Sequence, residues 1–128
     1  MTLYEMKQQL LSGKTIFDLS LRVVYYARVS TEKEEQINSL ENQVSFFENY
    51  IRKNTNWRFI RGYIDEGISG TTSLKREQFM QMIEDSQKDE FDLIVAKEVS
   101  RFSRDTIDSL YYTRKLLEYD VCVYFLSD

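Results

Sequence analysis

Four short apolar runs, separated by three stretches whose apolar residues fall at helical spacing, restrict this chain more than any other feature it has. The runs lie near residues 22–27, 57–64, 92–96 and 121–126. They are rich in β-branched and aromatic residues, which favour strands. Between the first two, Leu40, Val44, Phe47 and Ile51 repeat at intervals of four, three and four, a helix with one core-facing stripe and Ser39 or Asn38 as N-cap. Phe79, Met82 and Ile83 mark a second helix, starting near Leu74 or Lys75, and Ile107, Leu110, Tyr111 and Leu117 a third with Asp105 as cap. The order β-α-β-α-β-α-β predicts an α/β fold, an open parallel-stranded sheet with helices on both faces and right-handed crossovers. Val23-Val24-Tyr25-Tyr26 shows no apolar-polar alternation, so it reads as a central strand covered on both sides.

Ahead of these elements, Leu3, Met6 and Leu10 followed by Gly13 predict a short amphipathic helix with a glycine stop. It precedes the main fold and reads as an appendage. The expected division is therefore an N-terminal helical extension over residues 1–20 and one domain over 21–128. No apolar run approaches the ~18 residues of a membrane span, and the N-terminus lacks the basic-then-apolar pattern of a signal peptide. Cys122 lies inside the apolar run Val121–Phe125 and reads as a buried small hydrophobe in a reduced, cytoplasmic protein.

In an open parallel sheet, sites form beyond the carboxyl ends of the strands. The first strand leads to Arg28 and Ser30, two residues apart and so on one side while the chain stays extended. The second leads to Asp65, Gly67, Ser69 and Gly70, with Arg76 following, and the third to Lys97, Glu98, Ser100, Arg101 and Arg104. Taken singly, each is ordinary: a surface arginine, a turn, a solvated helix start. Together they bring four arginines and a serine to one edge of a domain with a net charge of −4. Several guanidinium forks around one point suit a phosphate or phosphodiester, whose charge grows toward its transition state.

The chain has no histidine and one cysteine, which excludes a Ser-His-Asp triad, a Cys-His pair and the usual zinc sites as self-contained options. The acidic balance argues against a general basic surface for nucleic acid, so any contact with phosphate is local.

Four segments carry a resemblance. Tyr26-Ala27-Arg28-Val29-Ser30-Thr31, Ser39-Leu40-Glu41-Asn42-Gln43, Asp65-Glu66-Gly67-Ile68-Ser69-Gly70 with Arg76, and Ser100-Arg101-Phe102-Ser103-Arg104-Asp105-Thr106 run in the order found in serine recombinases. The chain from about residue 22 onward resembles the resolvase/invertase catalytic domain, most closely that of the large serine recombinases of mobile elements. The resemblance implies that Ser30 is a nucleophile that attacks a DNA phosphodiester to give a 5′-phosphoserine and a free 3′-hydroxyl. It implies that Arg28, Arg101 and Arg104 bind the scissile phosphate, that Arg76 is a further active-site arginine, and that Gln43 and Asp65 support them. Lys97 joins Arg28, Arg101 and Arg104 as a DNA contact. No metal or cofactor is implied, since the phosphoserine conserves the bond energy for religation. The implied partners are DNA and further copies of the chain, a dimer that becomes a tetramer in the synaptic complex, in a bacterial cytoplasm.

Two positions depart from the family pattern. Ser100 stands where many members have aspartate, and Glu98 is the carboxylate that takes its place. Asp85 stands where some members carry a basic residue. By the same comparison, a long helix and DNA-binding domains follow the catalytic domain, so the 128-residue piece is expected to bind DNA weakly, with Ser30 short of some of its arginines. The competing reading is a flavodoxin-like phosphate binder or signalling receiver. Asp65 and Glu66 follow the second strand and Lys97 the third, the wrong order for a receiver, and the arginines are left unexplained. An inactive remnant is disfavoured by intact Arg28, Ser30, Arg101 and Arg104.

Overall fold

The computed structural model describes residues 1–30, 40–67, 76–97 and 106–127. Four parallel strands form one open sheet in the order β2-β1-β3-β4: β1 (Leu21–Ser30), β2 (Trp57–Gly67), β3 (Leu93–Ala96) and β4 (Cys122–Phe125). Among the described residues four α-helices accompany them: α1 (Leu3–Leu11), α2 (Leu40–Arg52), α3 (Glu77–Asp85) and α4 (Thr106–Glu118). The expected α/β architecture is present, with β1 internal.

Side-chain alternation along β1 divides the core in two. Val24 and Tyr26 face α3 and α4, where they meet Tyr63, Phe79, Met82, Ile83 and Leu116. Val23, Tyr25 and Ala27 face α1 and α2, where they meet Met6, Phe47 and Ile51. Val23, Val24, Tyr25 and Tyr26 are all buried, which accounts for the unbroken apolar run: a strand covered on both faces has no solvent side to mark with polar residues. The Tyr25 ring stacks on Phe47 at 4.8 Å and lies directly over Gly62 of β2, where a Cβ would overlap it. β2 carries an extra residue opposite Val23/Val24, a bulge just before that glycine.

The N-terminal segment packs against the sheet. Thr2 and Glu5 form a reciprocal capping box on α1, Gly13 supplies a φ of +104° beyond its end, and Met6 is buried against the sheet. Phe17 stacks on Trp57 at 5.5 Å and meets Tyr124 edge-on at 5.6 Å, while the Trp57 indole N–H donates to the Ile16 carbonyl at 3.1 Å. The segment thus helps cover one face of the sheet, β4 included. Half-buried Cys122 packs there, its Sγ 3.6 Å from Met6 Sδ.

Three further expectations need correction. β1 and β2 run three residues past their expected ends, because the pair continues from Ala27↔Ile64 to Ser30↔Gly67. On α4, Leu110, Tyr111 and Leu117 are exposed rather than core, and the buried side is Leu116 with Tyr112 and Tyr119 packed beside it. Both sets are helically spaced; the edge-to-face contact of Tyr112 with Phe79, at 4.9 Å, fixes which one turns inward. On α2, Phe47 and Ile51 are buried as expected, but Leu40 is exposed. The proposed caps Asn38, Ser39 and Asp105 lie outside the described residues, as do Leu74 and Lys75, the expected start of α3. No helix among the described residues is long and apolar enough to cross a membrane.

Candidate active site

At the carboxyl edge the strands end at different heights. β3 last pairs with β1 at Ala96↔Tyr26, while β1 and β2 continue together for four more residues. This two-stranded projection carries Arg28 opposite Asp65 and ends with Ser30 opposite Gly67. The backbone stays extended through Ser30, the condition under which a two-residue spacing repeats a face. Arg28 is half-buried and lies on the alternation face of Val24 and Tyr26, toward α3.

Asp65 is the hub of that face. It is 4% exposed, and its two oxygens accept three hydrogen bonds: from the Tyr26 hydroxyl at 2.8 Å, the Gln78 amide at 2.8 Å and the Phe79 amide at 3.0 Å. The last two are the second and third amides of α3, the orphan donors that a capping side chain satisfies. A carboxylate from β2 therefore caps α3 from outside the helix, where the positive end of the helix dipole favours it. Arg76 occupies the N-cap position and makes no side-chain capping bond of its own. Its guanidinium lies 3.7 Å over the Phe79 ring. Burial pushes the Tyr26 hydroxyl well above the usual phenol range, the Asp65 charge and hydrogen bond add to this, and neighbouring Arg76 opposes it.

Lys97 and Gln43 come to the same edge from the other face. Lys97 follows β3 and is anchored through its carbonyl, which accepts from the Ser127 amide at 2.7 Å and hydroxyl at 3.1 Å. Its ammonium lies 6.0 Å from the Phe46 ring on α2. Gln43, half-buried, sits one turn before Phe47 on the same helix, over the side of the sheet where Tyr25 lies. The structure thus gathers Arg28, Asp65 and Arg76 on the α3 side, and Gln43 and Lys97 on the α2 side. Glu98, Ser100, Arg101 and Arg104 lie outside the described residues, and so do their contacts with Ser30.

Asp85, at the position where some family members carry a basic residue, is buried. It accepts from the Tyr63 hydroxyl at 2.7 Å, Gln81 at 2.9 Å and Lys88 at 3.0 Å, with Arg61 at 3.7 Å. Tyr26 opens the first family-like segment but is given no role from the sequence; the structure joins it to this edge through its hydrogen bond to Asp65. Among the described residues no group of three or more metal-ligating side chains is placed to hold an ion.

Comparison with known proteins adds to this geometry. The family described as "Resolvase, N terminal domain" matches residues 23–128. A resolvase family site-specific recombinase from Streptococcus pneumoniae superposes with a TM-score of 0.70 at 30% identity, covering 83% of this chain and 72% of that one. The N-terminal catalytic domain of TP901-1 integrase gives 0.66 at 26% identity, covering 82% and 76%. The C-terminal catalytic domain of ISC1926 TnpA, an IS607-like serine recombinase, also gives 0.66, at 18% identity and covering 84% and 69%, a likeness of fold. No curated protein matches the sequence.

Proposed function

The chain belongs to the resolvase N-terminal domain family, and from that premise we propose that it is the catalytic domain of a serine site-specific DNA recombinase from a mobile element. Ser30 is its nucleophile. The Ser30 oxygen attacks the scissile phosphorus, a P–O bond to the serine forms as the bond to the 3′ oxygen breaks, and the serine proton ends on the departing 3′-hydroxyl. After strand exchange the new 3′-hydroxyl attacks the phosphoserine and restores the serine. Arg28, Arg76, Arg101 and Arg104 stabilise the phosphorane by charge and hydrogen bonding. They are too basic to act as the base themselves, and lower the barrier by stabilising serine oxyanion character. Lys97 contributes a further DNA contact, and Gln43, Glu98 and Ser100 supporting ones. The working unit is a dimer that pairs into a tetramer on two DNA sites, in the bacterial cytoplasm.

The observation that carries this reading is the β1–β2 projection, with Arg28 and Ser30 two residues apart at its end and Asp65 and Arg76 beside it. The full-length protein on a nicked suicide substrate tests it. The expected result is a covalent protein–DNA adduct that disappears in Ser30→Ala; an adduct persisting in that variant refutes the assignment. Arg101→Ala and Arg104→Ala are each expected to slow cleavage ~100- to 1000-fold with site binding retained, the usual loss for one transition-state donor.

A further inference from the structure

We infer that Tyr26 is a positioning residue, holding Arg76 at the site through Asp65 and Phe79. The proposal rests on the recombinase reading above and adds a residue to its working parts. Three contacts close a loop. The Tyr26 hydroxyl donates to Asp65 at 2.8 Å, Asp65 accepts from the Phe79 amide at 3.0 Å, and the Phe79 ring meets the Tyr26 ring edge-on at 5.2 Å. Arg76 rests on that Phe79 ring, 3.7 Å from its centroid. The arginine's place is therefore referenced to β1, the strand that ends in Ser30.

The arrangement also explains why position 76 can be an arginine at all. A helix N-cap ordinarily carries Ser, Thr, Asp or Asn, whose side chain bonds the second or third amide. Here Asp65 performs that task from β2, which leaves the N-cap residue available for another purpose. A long cation at this point rests on the Phe79 ring at the helix start that Asp65 caps, and Asp65 has Arg28 as its β1 register partner. Tyr26 fixes the orientation of the carboxylate, because one Asp65 oxygen serves both the Tyr26 hydroxyl and the Phe79 amide. Loss of the hydroxyl leaves the carboxylate held by the two α3 amides alone, without its tie to β1, and lets the helix start, with Arg76, shift against the strand that ends in Ser30.

A core tyrosine that merely satisfies its hydroxyl would have the same contacts, so the test must report on Arg76. Tyr26→Phe keeps the ring and its Phe79 contact and removes one oxygen. With the full-length protein on the nicked substrate, this variant is expected to cleave roughly 10- to 100-fold more slowly, the scale of a small misplacement at a reacting centre, with site binding within about twofold. In an Arg76→Ala background the same change is expected to have no further effect, since residues that act as one unit are non-additive. Wild-type cleavage by Tyr26→Phe, or effects that multiply independently, would overturn the proposal. If Tyr26→Phe does not fold, Asp65→Asn combined with Arg76→Ala is held to the same criterion. Ser30→Ala run alongside separates the two levels: an adduct there defeats the recombinase reading, whereas its absence with normal cleavage by Tyr26→Phe defeats only the role of Tyr26.

Discussion

Asp92 shows how one side chain can join the chain's start to its sheet. It is 1% exposed at the amino edge, opposite the candidate site, and follows the turn that ends at Asp89. Its carboxylate accepts from the Arg22 backbone amide at 2.9 Å, from Arg22 Nε at 3.1 Å and Nη2 at 2.9 Å, and from the Met1 ammonium at 2.9 Å. Burial alone would push its carboxyl up; the hydrogen bonds from Arg22 and the terminal ammonium outweigh this and hold it below the usual carboxylate range. Asp85 is also depressed, its bonds from Tyr63, Gln81 and Lys88 overcoming burial. A carboxylate whose folded pKa lies below its unfolded one adds stability that is present above about pH 4 and lost as pH falls through the folded value. Thermal midpoints are therefore expected to hold nearly constant from pH 7 to about 5 and to fall below about pH 4. Asp92→Asn should cost about 1.5–3 kcal/mol at pH 7, the range for hydrogen bonds to a charged group, and should flatten the acid limb. An acid limb unchanged by the substitution would show that Asp92 is not one of its sources.

The element that most changes the picture is α1, which packs into the core of the sheet. Met6 is 2% exposed and fills the face between β1 and β4. Met6→Ala is expected to cost about 2–5 kcal/mol, the range for truncating a buried methionine in a core, measured by urea denaturation with the slope unchanged. A cost under 0.5 kcal/mol, typical of surface positions, would return the segment to the status of an appendage. The same comparison shows what the sequence could and could not reveal. Val23 through Tyr26 announced a two-sided strand because burial on both faces leaves no alternation. α4 was misread at Leu110, Tyr111 and Leu117 because that set is as apolar and as helically spaced as 112/116/119, and the choice of face belongs to Phe79, which is far away in sequence; the side chain of Ile107 lies outside the described residues. The ends of β1 and β2 were placed too early because Arg28, Asp65 and Glu66 look like loop residues. Backbone pairing between strands is indifferent to that. The cap on α3 was invisible for a related reason: local capping rules look one to three residues away, and Asp65 is 13 and 14 residues from the amides it satisfies. Arg28 and Arg76 could be nominated from residue type and strand order, but the hydrogen bond from Tyr26 to Asp65 required the sheet.

Across the whole molecule, the two edges differ in how their charges are paired. At the amino edge Asp89 and Asp92 are paired with Arg22 and the Met1 ammonium, while the carboxyl edge carries Arg28, Arg76 and Lys97 beside Asp65 and Glu66, in a chain of net charge −4. A net negative charge works against DNA at long range, and on the proposed reading the cations of the carboxyl edge attract it locally, which would orient the domain toward a phosphodiester rather than let it grip one. Salt dependence separates these two modes, because each neutralised phosphate adds about 0.9 to the slope of log affinity against log salt. With Arg101 and Arg104 added to those three cations, the slope for this 128-residue chain on duplex DNA should not exceed about 4.5 in magnitude. The affinity should be weak at physiological salt. Fluorescence anisotropy between 50 and 200 mM salt, on the order of the range where such slopes are read, provides the measurement. Arg101→Ala should lower the slope by about one unit if that side chain contacts phosphate. A slope well above the limit would mean that phosphate is met by a broader basic surface than the carboxyl edge, and the orienting role of the net negative charge would have to be given up.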